Sequence, residues 1–265
     1  QYELALEKAP DSSDVLKEVV ALEVRVRGAD AAEQRLQALL KEQPDHPQAN
    51  GLIAKVYAAE QEYVAAEKSL RKQIGLNPDS AAYSELAQLR IMQKDLAGAG
   101  SVYEEGLVAN TDNVSLMIGL AGVRERLGDY EAAISLYEKV LTLQPGNAVS
   151  VNNLAALLSD HRTDQASLDK ALKMAEVLGK TNQPAFLDTA GWIYYRTGDY
   201  EKALEILTKV IEKMPNVPVF QYHIGMVYYK LDDKGAAREH LVLATGEGSD
   251  YLGNEEARAT LELLQ

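Results

Sequence analysis

Residues 184–217 read PAFLDTAGWIYYRTGDYEKALEILTKVIEKMPNV, and residues 114–147 read VSLMIGLAGVRERLGDYEAAISLYEKVLTLQPGN. Each stretch carries Gly-Asp-Tyr, then an Ala three residues after the Tyr and a Pro twelve residues after that Ala. The Gly-Asp pair predicts a turn between two helices, and the Pro predicts the end of the second helix. Both stretches are 34 residues long, so they predict a repeat protein built of helix pairs.

The same register divides most of the chain into seven units. Every unit has Ala at the twentieth consensus position, which is Ala171 in unit 148–183 because a polar insertion precedes its second helix, and six of the seven have Ala or Gly at the eighth. Small residues there predict that the two helices of a unit cross closely, because a larger side chain would push them apart. The units are 13–46, 47–79, 80–113, 114–147, 148–183, 184–217 and 218–251. Residues 1–12 are predicted to be the second helix of a truncated preceding repeat. Residues 252–265 are predicted to be a capping helix with Asn254 as its N-cap.

This register resembles the tetratricopeptide repeat (TPR) family over the whole chain. The resemblance implies an all-α fold, a right-handed α-solenoid or superhelix of antiparallel helix pairs. It also implies that a protein or peptide partner binds along the first helices of the units. The chain departs from the carboxylate clamp of chaperone-binding TPR domains, because Ala21 stands where that clamp has Asn.

Composition excludes several classes of function. The formal charge of −13, without a cluster of Lys and Arg, argues against nucleic acid or an anionic membrane surface as the main partner. The chain has no cysteine, so disulfides and thiolate metal sites are excluded, and no apolar run approaches the length of a membrane span. None of the four histidines has a metal-binding spacing, and no glycine-rich phosphate loop is present. We therefore predict a non-enzymatic protein without cofactor or metal.

The TPR resemblance places candidate binding residues at the second, fifth, ninth, twelfth and thirteenth positions of each unit. In the last two units these positions hold aromatic, Met and charged side chains of the kind found at binding hot spots. The predicted groove residues are Asn152, Asp188, Trp192, Tyr195, Arg196, Tyr222, Met226, Tyr229 and Lys230. The alternative interpretation is that the aromatic side chains pack against neighbouring helices and stiffen the last units.

Two short runs, residues 152–155 and 187–195, resemble bacterial envelope TPR lipoproteins and subunits of exopolysaccharide secretion and export systems. This implies a scaffold in an envelope assembly, periplasmic or envelope-associated rather than cytoplasmic. Two alternatives remain open. The array could regulate, or bind substrate for, a larger enzyme whose catalytic domain is missing. It could also be a structural scaffold that self-associates through its open N-terminal repeat, where Leu4 and Leu6 are apolar.

Overall fold

The computed structural model describes residues 12–264, and within them the chain forms fifteen α-helices and no strand. The predicted all-α fold is therefore confirmed. The helices are α1 Ser13–Arg27, α2 Ala29–Glu42, α3 Pro47–Ala59, α4 Tyr63–Leu76, α5 Ser80–Met92, α6 Leu96–Ala109, α7 Val114–Arg126, α8 Tyr130–Leu143, α9 Ala148–His161, α10 Gln165–Leu178, α11 Pro184–Arg196, α12 Tyr200–Lys213, α13 Pro218–Lys230, α14 Lys234–Ala244 and α15 Asn254–Leu263. Apart from Ser12, the helix predicted over residues 1–12 lies outside the described residues.

The helices belong to two compact units, one ending at residue 136 and one starting at residue 137. In the first unit, α1 packs on α2, α3 on α4 and α5 on α6. In the second unit, α9 packs on α10, α11 on α12 and α13 on α14. Among the described residues, no helix combines the length and the apolar character needed to cross a bilayer.

Most of the helices begin at a polar side chain that accepts a backbone N–H bond. Asp79 Oδ1 accepts from the backbone N of Ala82 at 2.8 Å, and Asp199 Oδ1 accepts from that of Lys202 at 3.0 Å. Such bonds satisfy N–H groups that have no partner inside the helix. The other side chains with this role are Ser12, His46, Asp95, Asn113, Asn147, Asp164 and Asp233.

In five of the pairs, the turn from the first to the second helix contains a residue in the left-handed conformation. Gly128 and Gly198 have φ of 77° and 89°, and they belong to the two Gly-Asp pairs. In other units the same place in the turn is taken by Gln61, Lys94 and Asp232, with φ of 64°, 61° and 60°. Residues with a Cβ are strained in this conformation, typically by about 1–2 kcal/mol.

Replacing Lys94 by glycine is expected to raise the free energy of unfolding by about 0.5–1 kcal/mol. Relief of the left-handed strain outweighs the entropy that glycine adds to the unfolded chain. Urea denaturation of both proteins measures the change, and Gly128→Ala is the matched control, expected to lower stability by a similar amount. A less stable Lys94→Gly protein would contradict the assignment of strain to this turn.

The helices of each pair come closest at small residues. The Ala at the twentieth consensus position of every unit is fully buried, with 0% of its surface exposed. In α11, a Cβ added to Gly191 would lie 2.6 Å from Leu207 Cγ of α12. In α13, a Cβ added to Gly225 would lie 2.9 Å from Leu241 Cγ of α14. The alanines are Ala32, Ala66, Ala99, Ala133, Ala171, Ala203 and Ala237.

Helix α15 packs against both α13 and α14 and buries Ala257 and Thr260. The prediction that Asn254 caps this helix is wrong, because the N-cap is Gly253, with φ of 100°. The Asn254 side chain instead donates from Nδ2 to the carbonyl oxygen of Ser249 at 2.6 Å. A Cβ on Gly253 would lie 2.5 Å from Tyr222 Cε1, so glycine permits both the left-handed turn and the close approach to α13.

Candidate binding groove

The first helices of the last three pairs form one face of the second unit, where α9 contacts α11 and α11 contacts α13. Residues three and four apart share a helix face, so each helix points a row of side chains towards this side. A cavity of about 460 Å³ opens there and is called the groove below. Helix α9 lines it with Ala156 and Asp160, and α13 lines it with Val219.

The floor of the groove is made by α11 and α13, and one wall comes from the segment leading into α15. Asp188 and Trp192 of α11 lie beside Tyr222 and His223 of α13. The wall consists of residues 252, 253 and 256, and Leu252 is 81% exposed. The groove therefore combines aliphatic, aromatic and charged side chains, as binding sites usually do.

Trp192 is held at the centre of an aromatic stack. Its ring is stacked on Tyr195 at a centroid distance of 4.5 Å and on His223 at 4.2 Å, with interplanar angles of 16° and 22°. If Tyr195 and His223 both lay on the same face of the indole at these distances, their rings would clash with each other. They therefore lie on opposite faces of Trp192. The indole N–H donates to Asp160 Oδ1 at 3.2 Å. Both faces of the only tryptophan are covered, and its edge is left to line the groove.

A buried carboxylate orients His223. His223 and Asp188 are only 9% and 7% exposed, and Nδ1 of the imidazole lies 2.8 Å from Asp188 Oδ1. An ionised carboxylate only accepts hydrogen bonds, so the proton of this bond sits on Nδ1. The pairing satisfies two polar groups that would be costly to bury alone.

Tyr222 ties the floor of the groove to its wall. Its hydroxyl donates to Glu256 Oε2 at 2.6 Å, and its ring is tilted against Trp192 at a centroid distance of 5.3 Å. Burial, together with the bond to Glu256, raises the pKa of Tyr222 above its ordinary value. Burial also raises the pKa of Tyr195 to about 12, so both phenols are neutral at physiological pH.

Four of the nine predicted residues line the groove: Asp188, Trp192, Arg196 and Tyr222. Tyr195 and Met226 are only 9% and 2% exposed and are not among the lining residues, so the expectation that they offer surface to a partner is corrected. Their burial agrees with the packing alternative. Asn152, Tyr229 and Lys230 also lie outside the groove lining.

Asn152 and Arg196 make hydrogen bonds within the second unit. Asn152 donates from Nδ2 to Asn153 Oδ1 at 3.1 Å, and its own Oδ1 is buried without a hydrogen-bond partner. Arg196 donates to the carbonyl oxygen of Ser159 at 3.3 Å, which draws its exposed guanidinium towards α9. Arg196 therefore stands at the rim of the groove.

Sequence reasoning missed five charged or polar lining residues, which are Asp160, His161, Thr189, His223 and Glu256. Asp160 is the thirteenth residue of unit 148–183, a position that the TPR resemblance itself nominates. Glu256 lies 34 residues after Tyr222, which makes it the fifth position of the register continued into α15. His223 occupies a sixth position, and no pattern in the sequence singles it out.

The comparisons with known proteins agree on the fold. Sequence profiles described as tetratricopeptide repeat match residues 22–81, 116–149 and 184–217. A TPR repeat-containing protein of Pseudomonas aeruginosa is 27% identical over 127 residues, which is 48% of this chain and 21% of that protein. The curated relatives matched first are longer, and the aligned part spans between 21% and 31% of their length.

Solved structures of low sequence identity share the architecture. A tetratricopeptide repeat protein from Parabacteroides merdae superimposes with a TM-score of 0.64 at 18% identity, covering 87% of this chain and 86% of that one. YrrB, described as a TPR protein with an unusual peptide-binding site, gives a TM-score of 0.55 at 20% identity, over 76% of this chain and 97% of its own. The neighbours are helical solenoids, as the fold prediction requires.

Proposed function

This chain belongs to the tetratricopeptide repeat family, and from that premise we propose that it is a non-catalytic scaffold that binds a segment of a partner protein in the groove. Proteins with this fold generally act as protein-interaction scaffolds rather than as enzymes. The observation that carries the proposal is the cavity of about 460 Å³, whose floor is held by hydrogen bonds and whose wall carries the exposed Leu252. Exposed aliphatic surface beside fixed polar groups is characteristic of a recognition site.

The hydrogen bonds beneath the groove support a preformed site. Trp192 is fixed to α9 through Asp160, His223 is fixed to α11 through Asp188, and Tyr222 is fixed to α15 through Glu256. A surface already held in place loses little conformational entropy when a ligand binds. Scaffolding by this chain therefore needs no rearrangement of the groove floor.

Filling the groove is expected to abolish partner binding without unfolding the protein. Ala156→Tyr places a ring in the groove from α9, and Ala166→Tyr, on the exposed surface of α10, is the matched control. A partner is first identified by affinity purification from the source cells, and its affinity is then measured by calorimetry. We expect at least a tenfold loss of affinity for Ala156→Tyr and none for Ala166→Tyr. Equal binding by both variants, at unchanged melting temperature, would refute the groove as the binding site.

We also propose an envelope-associated setting for this scaffold. Its support is the resemblance of residues 152–155 and 187–195 to envelope TPR proteins of secretion and export systems. Fractionation of source cells, with detection of the chain by antibody, tests the compartment. Self-association through the N-terminal residues likewise stays a prediction, and the concentration dependence of the mass in solution tests it.

A further inference from the structure

Two carboxylates that line the groove each have an oxygen that the bonds to Trp192 and Tyr222 leave free. Asp160 uses Oδ1 for the Trp192 indole, and Glu256 uses Oε2 for the Tyr222 hydroxyl. The second carboxylate oxygen of each residue is not engaged by these bonds. Ionised carboxylates accept hydrogen bonds and cannot donate them, so both residues call for a donor on the ligand.

His223 adds a ring nitrogen to the same floor. Its Nδ1 is occupied by Asp188, so Nε2 is the ring atom left for a ligand in the groove. The bond to Asp188 fixes the orientation of the imidazole in the groove lining.

The charges of the lining residues also favour a positively charged ligand. Asp160, Asp188 and Glu256 supply three carboxylates, whereas Arg196 at the rim supplies the one fixed positive charge. Among these four residues two negative charges are in excess. The whole chain carries −13, so a positively charged ligand is attracted at long range as well.

We propose that the groove selects a polypeptide segment that carries an arginine or lysine side chain, seated between Asp160, His223 and Glu256. This inference rests on the proposed scaffold function and adds the chemical class of the ligand. The donor groups of a guanidinium or ammonium match the free acceptors, and aliphatic side chains of the same segment contact Val219 and Leu252. Opposite charge at such a site gives specificity and speeds association.

A selection from random peptides tests the proposal without knowledge of the natural partner. Peptides are selected by display on the whole protein at pH 7.5, and those that fail to bind Ala156→Tyr are retained as groove-dependent. Synthetic versions are titrated against the protein by following the fluorescence of Trp192, the only tryptophan. In each peptide the basic residue is then replaced by glutamine.

The expected result is enrichment of arginine or lysine at one peptide position, and at least a tenfold loss of affinity when that residue becomes glutamine. Asp160→Asn and Glu256→Gln keep the acceptors for Trp192 and Tyr222 but remove the charge. In these variants the same peptide substitution should cost several-fold less. Glu212→Gln, an identical change on the exposed surface of α12, should leave the native difference intact.

Three outcomes would overturn the proposal. Groove-dependent peptides without a basic residue, or with an acidic one, would refute the ligand class and leave the scaffold function standing. Equal affinity of the arginine and glutamine peptides would do the same. Selection of no groove-dependent peptide would refute the groove as a peptide-binding site, and the proposed function would fall with the inference.

Discussion

Replacing Trp192 by alanine is expected to lower the free energy of unfolding by about 2–4 kcal/mol. The substitution removes a ring stacked on both faces, at 4.5 Å from Tyr195 and 4.2 Å from His223. It also removes the hydrogen bond that links α11 to Asp160 of α9. Truncation of large aromatic side chains in cores costs about 3–5 kcal/mol, and the partial exposure of Trp192 reduces that figure. Urea denaturation followed by circular dichroism measures the change without relying on the lost fluorophore.

The control for this prediction is Trp192→Phe, which retains a stacking ring and loses the indole N–H. Loss of one hydrogen bond to a carboxylate costs about 1.5–3 kcal/mol when buried, and less at a partly exposed site. We therefore expect the free energy of unfolding of Trp192→Phe to lie between those of the native protein and Trp192→Ala. A cost below about 1 kcal/mol for Trp192→Ala would mean that the stack contributes little stability. The indole would then be assigned to ligand contact instead of packing.

Gly191→Ala and Gly122→Ala are expected to change stability in opposite directions. Both glycines lie in first helices, α11 and α7, where alanine is intrinsically favoured by about 1 kcal/mol. Around Gly122 a new Cβ meets nothing within 4 Å, so stability should rise by about 0.5–1 kcal/mol. At Gly191 the Cβ would lie 2.6 Å from Leu207 Cγ, and Leu207 is fully buried, so overpacking should lower stability by about 1–3 kcal/mol.

Thermal and urea denaturation of the two variants and of the native chain measures the direction of each change in stability. The comparison is internal because both substitutions add one methyl group to a helix of the same class. If both variants gain stability, Leu207 moves aside at little cost, and the close approach of α11 to α12 does not constrain residue 191. If both lose stability, helix propensity fails to account for residue 122.

The repeat architecture could be predicted because close helix crossings restrict the residues that fit. Ala203 and Gly191 sit where α11 meets α12, and only small side chains fit there. The prolines and Gly-Asp pairs predicted the turns, because proline cannot continue a helix and glycine permits the turn conformation. The left-handed turn residues Gln61 and Lys94 could not be anticipated, because their side chains carry no preference for that conformation, whereas Asp is enriched there and Asp232 was overlooked.

The repeat register predicted which face of the helices carries the groove, but it did not predict which side chains on that face are accessible. Asp188 and Tyr222 are fifth-position residues that do line the groove, and continuing the period would have added Glu256. Met226, at a ninth position like Trp192, lies outside the groove lining, since what a side chain contacts depends on its neighbours as well as on its position in a repeat. The pairing of His223 with Asp188 joins residues 35 positions apart, and only the packing of α11 against α13 brings them together.

One wall of the groove has a consequence for the order of events during synthesis. Chains are made from the N-terminus, and the residues that complete this wall, 252 to 256, follow all the other lining residues. Until they have left the ribosome, Tyr222 lacks the acceptor on Glu256 and the site is open on one side. The complete groove, and with it the proposed binding site, therefore forms only after residue 256 has emerged from the ribosome.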